Sequence, residues 1–146
     1  LKPFVWQARV YWEDTDAGGI VYYANYLRFL ERARTEWLRA RGISQLALVR
    51  DPGVVFTVVA IDAQYLRPAR LDDLLSISCE PSIEGGASMR FSQHIWCEPD
   101  AARPLLRASV RVACLAAESL KPRRLPQVIV NVLPPAVSAP LAERKE

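Results

Sequence analysis

Three carboxylates, Glu13, Asp14 and Asp16, crowd into the start of the stretch EDTDAGGIVYYANY (13–26), and Gly18 and Gly19 follow at once. If the chain stays extended there, Asp14 and Asp16 project to the same side. Neighbouring carboxylates raise one another's pKa, which suits a general base or a nucleophile. Two glycines let a backbone approach a ligand closely. A helix beginning near Ala24 and Asn25 would add unpaired N–H groups and the positive end of its dipole. A carboxylate facing such a terminus brackets a space for a polarised carbonyl, whose growing negative charge the N–H groups would stabilise. The competing reading is plain: the acids form turns and cap helices, and the glycines make the bend.

Other chemistries are excluded. There is no GxSxG elbow and no phosphate-binding P-loop, and Gly18-Gly19 do not make GxGxxG. His94 is the only histidine. It falls mid-strand, with Cys97 on the opposite face, so a Ser–His or Cys–His catalytic pair has no base. For the same reason a dehydratase is disfavoured. Cys79, Cys97 and Cys114 are odd in number and lack metal-site spacing, so reduced structural thiols and no metal site are expected.

The elements that must carry this chemistry are legible in the periodicities. FVWQARVYW (4–12) alternates as a strand, with Phe4, Trp6, Ala8, Val10 and Trp12 on one face. From Asn25 to Arg41 the period becomes helical. Tyr26, Leu30, Ala33, Trp37 and Ala40 form a stripe opposed by Arg28, Arg32, Glu36 and Arg39, and Gly42 is the stop. Residues 43–53 read as a shorter, partly helical segment. Strands follow at 54–66, 73–80, 88–97 and 105–116, with a glycine hairpin turn in SIEGGAS. The stretch after Leu120 is proline-rich and reads as a trailing strand or loop and a mobile tail. This order predicts an α+β domain in which five antiparallel strands wrap one long helix.

Composition agrees. The 146 residues suffice for one domain, and 51% are hydrophobic. No apolar run is long enough for a membrane span, and the opening residues lack signal-peptide features, so a cytoplasmic protein is expected. The net charge of +3 is mild and its arginines are dispersed, which argues against a nucleic-acid groove but leaves room for a phosphorylated small molecule.

The stretch RVYWEDTDAGGIVYYANYLRFLERARTEWL (9–38) resembles the signature of the 4-hydroxybenzoyl-CoA thioesterase superfamily of hot-dog folds. Within it, the likeness is greatest to the acyl-CoA thioesterases associated with the bacterial Tol–Pal system. It continues through YLRPARLDDLLSI (65–77) and SLKPRRLP (119–126). The resemblance implies a hot-dog domain over residues 1–126, followed by a C-terminal extension, 127–146, that is partly mobile. It implies hydrolysis of an acyl-CoA, with coenzyme A as part of the substrate and no separate cofactor. It implies a homodimer with active sites at the subunit interface, assembling further to a homotetramer, and an acyl carrier protein is the other thioester carrier to consider. Asp16 matches the family's catalytic aspartate, acting as nucleophile or as general base toward water. The backbone N–H of Tyr23 matches the donor that polarises the thioester carbonyl. Gly19, Val21, Ala24 and Asn25 are the expected substrate-lining positions. Two departures stand out. Tol–Pal-associated relatives often carry histidine where this chain has Tyr23. The hairpin IEGGASM (83–89) also lacks the basic cluster that the aromatic-substrate branch uses for CoA phosphates, which shifts that role to Arg67, Arg70, Lys121 and Arg123. The reading of a different class is a non-catalytic scaffold that binds acyl-CoA or an acyl carrier protein on the same fold.

Overall fold

The computed structural model describes residues 3–134. Its elements are β1 (Phe4–Arg9), α1 (Asn25–Ala40), α2 (Gln45–Arg50), β2 (Val54–Tyr65), β3 (Leu74–Ile83), β4 (Ser88–Cys97), β5 (Leu106–Ala116) and α3 (Gln127–Val130). The five strands form one antiparallel sheet in the order β1-β3-β4-β5-β2, so β1 and β2 are its edges. This is the α+β hot-dog arrangement that the patterning and the resemblance imply.

Alternation explains the core. Leu75, Ile77 and Cys79 of β3, Met89, Phe91 and Ile95 of β4, and Val110, Val112 and Cys114 of β5 are buried. The α1 stripe of Tyr26, Phe29, Leu30, Ala33, Trp37 and Leu38 packs into the same cluster. Trp37 meets Phe91 edge-on, with ring centroids 5.8 Å apart, the geometry the ring quadrupoles favour. Gly42 ends the helix at φ +76°, and its N–H closes on Arg39 O at 2.9 Å. Ala40, expected in the stripe, is exposed; Leu38 takes its place as the last buried residue.

The structure departs from simple patterning in three places. The first strand ends at Arg9, and Trp12 is 80% exposed rather than part of the apolar face. The cause is local: Asp14 Oδ2 accepts the Tyr11 N–H at 2.8 Å, Asp14 N–H returns to Tyr11 O at 3.0 Å, and residues 12–14 form a single 3₁₀ turn. Second, the far face of β3 is not open. Ser76 and Ser78 are buried, with Ser76 bonded to Glu98 and Gln7, and Ser78 Oγ accepting the His94 N–H at 2.9 Å. Third, the segment after residue 126 begins as α3, whose Ile129 is fully buried in the common core, as is most of Leu133. Residues 127–134 thus pack with the domain, and the remainder of the expected extension lies outside the described residues.

All three cysteines are free thiols; Cys79 and Cys114 are buried and Cys97 is partly so. Burial pushes the Cys79 thiol up to about 12. Such a thiol is neutral and inert.

Candidate active site

The loop between β1 and α1 doubles back on itself. Thr15 bridges Val21, Asp16 N–H donates to Ile20 O at 2.9 Å, and Gly19 N–H donates to Asp16 O at 3.0 Å. Gly19 sits at φ +78°, a conformation that disfavours any side chain. A second bridge, Ile20 to Arg70, with Val21 N–H on Ala69 O at 2.9 Å, ties the loop to the segment after β2. The loop is therefore fixed to the sheet on one side and enters α1 on the other.

Inside it, the two aspartates part company. Asp14 is structural: its carboxylate holds Tyr11 N–H, and its carbonyl accepts Tyr22 N–H at 3.0 Å and Asn25 Nδ2 at 2.9 Å. Asp16 is exposed, and Oδ1 accepts the Gly18 N–H at 2.8 Å. Its second oxygen is bonded to nothing among the described residues. The paired-carboxylate arrangement expected from an extended chain is absent, because the 3₁₀ turn sends the Asp14 side chain back toward Tyr11. Glu13 is exposed and joins neither network among the described residues.

The helix start supplies the second half. Ala24 is the N-cap of α1, no side chain caps it, and its first turn holds no acidic residue. Asn25, a residue type suited to capping, spends its amide on Asp14 O instead. Among the described residues the Tyr23 and Ala24 N–H groups have no hydrogen-bond partner. The carbonyls of both peptides that carry them are held, Tyr22 O by Asn25 N–H at 2.8 Å and Tyr23 O by the Tyr65 hydroxyl at 3.0 Å. In a trans peptide the N–H points opposite its carbonyl, so these bonds fix the direction of both free donors. They also polarise them. Tyr26 steadies the same corner: its buried hydroxyl accepts the Ala69 N–H at 3.0 Å, and burial pushes its pKa above the ordinary phenol value.

Of the expected lining residues, Gly19 is exposed on the loop and Ala24 lies at the helix start, but Val21 is only 2% exposed and its side chain belongs to the core. The four basic residues do not converge within one chain. Arg67 and Arg70 follow the Tyr65 end of β2, near the Asp16 loop. Lys121 and Arg123 lie at the Val54 end: Lys121 O accepts the Ala116 N–H, and Arg123 Nη1 reaches Gly53 O at 3.4 Å. Between the ends run the twelve residues of β2, about 35 Å of strand. That strand is a free edge, with Val58, Val59 and Ile61 exposed.

Gly18 and Tyr65 are contributors that the sequence singled out weakly or not at all. Gly18 was legible as half of a doublet; nothing in the sequence ties Tyr65 to Tyr23. Among the described residues no group of His, Cys, Asp and Glu side chains could hold a metal ion, and no helix is long and apolar enough to cross a membrane.

Comparison with known proteins adds an independent line. Residues 18–102 match the family model described as the thioesterase superfamily. The chain is 48% identical over 128 residues to the acyl-CoA thioester hydrolase YbgC of Escherichia coli O6:H1, covering 87% of this chain and 92% of that protein. It is 40% identical over 126 residues to the acyl-CoA thioesterase YbgC of Haemophilus influenzae, covering 86% and 90%. Among solved structures, a probable thioesterase from Bartonella henselae superposes with a TM-score of 0.79 at 38% identity, over 86% of this chain and all of that one. Slr0204, a 1,4-dihydroxy-2-naphthoyl-CoA thioesterase from Synechocystis, shares the fold at a TM-score of 0.82, over 89% and 94% of the two chains and at 23% identity.

Proposed function

The chain belongs to the thioesterase superfamily and is an acyl-CoA thioesterase, and from that premise we propose that Asp16 and the start of α1 are its chemical machinery. The observation that carries the proposal is the pairing of an exposed, half-bonded carboxylate with two fixed and unpartnered N–H groups on one loop. The thioester oxygen accepts the Tyr23 N–H, at a helix terminus whose positive end no acid neutralises. The free oxygen of Asp16 then does one of two things. As nucleophile it attacks the carbonyl carbon, the C–S bond breaks, CoA leaves as the thiol after gaining a proton, and water hydrolyses the acyl–aspartyl anhydride. As general base it takes a proton from water as the water oxygen adds to the same carbon, the C–S bond breaks, and the leaving CoA thiolate takes up the proton.

The site closes across two copies. Because β2 is a long exposed edge, two-fold antiparallel pairing of β2 with its counterpart sets the Val54 end of one subunit against the Tyr65 end of the other. That brings the partner subunit's Lys121 and Arg123 toward Asp16, Arg67 and Arg70, and arginine suits the CoA phosphates. A homodimer with two such sites, further assembly to a tetramer, a cytoplasmic setting and the Tol–Pal association belong to the same reading. An acyl carrier protein as alternative carrier would dock on this basic rim.

The test is thiol release from a panel of short, long and aromatic acyl-CoAs by wild type and Asp16→Asn. The variant should lose at least about a thousandfold in kcat with its fold intact. Equal rates would remove Asp16 from the mechanism, and binding without turnover by the wild type would favour the scaffold reading. Label in the Asp16 carboxylate after single turnover in ¹⁸O water assigns it as nucleophile, and a burst of CoA ahead of free acid reveals the anhydride where water attacks the acyl carbon instead.

A further inference from the structure

Midway along α1, away from the Asp16 loop, a cavity of about 140 Å³ opens between the helix and the sheet. Its walls are apolar: Phe56 and Val58 of β2, Met89 and Phe91 of β4. Its polar lining is Glu31, Arg34 and Thr35 of α1 and Gln45 of α2, whose Nε2 donates to Thr35 Oγ1 at 3.3 Å. Arg34 is unusual there. It is largely desolvated, and burial pushes its pKa below the ordinary guanidinium value. It forms no ion pair among the described residues. Its single side-chain bond runs from Nη1 to Gln93 Oε1 at 3.0 Å.

That bond fixes the guanidinium. Gln93 is fully buried, and its Nε2 donates to Leu30 O at 3.1 Å and Ser78 O at 3.4 Å, so the amide cannot turn. Most of the guanidinium's five donors are left over among the described residues, in a pocket whose apolar walls are Phe56, Met89 and Phe91. The Glu31 carboxylate three residues earlier acts on Arg34 through its charge, but it is exposed, accepts the Thr35 hydroxyl at 2.8 Å and forms no ion pair with the guanidinium among the described residues. Buried cations ordinarily have an anionic partner, and a planar fork is shaped for a carboxylate. An apolar cavity near this size accepts a benzene ring, or about six non-hydrogen atoms.

We propose that this cavity seats the distal end of the acyl group and that Arg34 reads a carboxylate there, so that the enzyme favours thioesters of short dicarboxylic acids. The proposal rests on the thioesterase reading above. In the edge-paired dimer, the Phe56–Val58 wall of one subunit lies in the half of β2 that faces the Tyr65 end of the other. An acyl group whose carbonyl is held at the partner subunit's Tyr23 thus points toward the cavity. A glutaryl chain carries about six non-hydrogen atoms beyond the thioester carbonyl, which matches the space.

The probes are glutaryl-CoA and 5-methylhexanoyl-CoA, which have the same shape and differ in terminal charge. The wild type should favour glutaryl-CoA by at least about tenfold in kcat/KM, the worth of a charge-assisted hydrogen bond. Arg34→Gln should bring the ratio to about one or below. Each ratio is internal to one preparation, so partial unfolding of the variant cancels. The same ratio read as equilibrium binding to Asp16→Asn needs no turnover, which separates failure of this inference from failure of the thioesterase reading. A wild-type ratio of one or less in both measurements, or a ratio that Arg34→Gln leaves unchanged, overturns the assignment. So does a preference for the 5-hydroxypentanoyl thioester over both probes, which would make Glu31 the reader.

Discussion

Gly18 and Gly19 are adjacent and should fail in opposite ways when each is replaced by alanine. At Gly18, a Cβ would stand 3.2 Å from Asp16 Oδ1, the oxygen that the Gly18 N–H holds at 2.8 Å. No positive φ strains that position. The neighbour that must yield is the end of an exposed carboxylate side chain, which can rotate by a few tenths of an ångström at little cost to the fold. The displaced group is the proposed reactive one. A misplacement of about 1 Å can cost a hundredfold in rate, so a few tenths should lower kcat about three- to tenfold with KM little changed. At Gly19 nothing lies within 4 Å of an added Cβ, but φ is +78°. The left-handed conformation costs an alanine about 1–2 kcal/mol, which lowers Tm by roughly 3–6 °C in a domain of this length. Thermal unfolding and thiol-release kinetics on both variants give the answer. If Gly18→Ala keeps full kcat, or loses as much Tm as Gly19→Ala, the claim that Gly18 seats the Asp16 carboxylate is wrong.

Two further outcomes follow from the geometry. Val59→Lys puts a charge at the middle of the exposed β2 edge, where Val59 is 51% exposed and the ladder to β5 slips register; sedimentation should find a monomer, and thiol release should vanish with the dimer, whereas an active monomer would mean that one chain completes the site. The Cys79 thiol, raised from 9.0 to about 12 in the folded state, binds its proton more tightly there than in the unfolded chain. Its contribution is therefore full below pH 9 and is lost as pH rises toward 12. Denaturant titrations should find wild-type stability falling relative to Cys79→Ala by about 1.4 kcal/mol per pH unit above pH 9, and parallel curves would contradict the burial argument.

The parts of this molecule that sequence disclosed are those governed by one period and one face. The α1 stripe and the alternations of β4 and β5 gave the core because each apolar residue there answers only to its own element. Trp12 broke the rule because a single side-chain bond, Asp14 to Tyr11, competed with the strand and won. Gln93 and Arg34 were passed over for the opposite reason. A glutamine in an apolar register reads as an interruption, and an arginine on a helix reads as solvent-facing, until tertiary packing joins them across the core. Asp16 was legible as a candidate through its glycines and its resemblance to a known motif. The different settings of Asp16 and Asp14 were not, since they depend on which N–H group each carboxylate finds.

The distribution of the basic residues carries the argument furthest beyond one chain. The sequence offers Arg67, Arg70, Lys121 and Arg123 as one set for the CoA phosphates, near two proline-containing loops. The strand pairing assigns them to opposite ends of β2, too far apart for one CoA to be gripped within a single subunit. The exposed apolar edge between them is the same strand that sets the separation. The proposed two-fold pairing of that edge would both bury it and return each pair of charges to the other's neighbourhood, so one operation would meet two needs. It would also set the acyl end of a substrate held at one subunit's helix start opposite the Phe56–Val58 wall of the other. On the proposed assignment, a chain with its reactive loop at one end of an edge strand and its remaining CoA-phosphate groups at the other works as half of a pair.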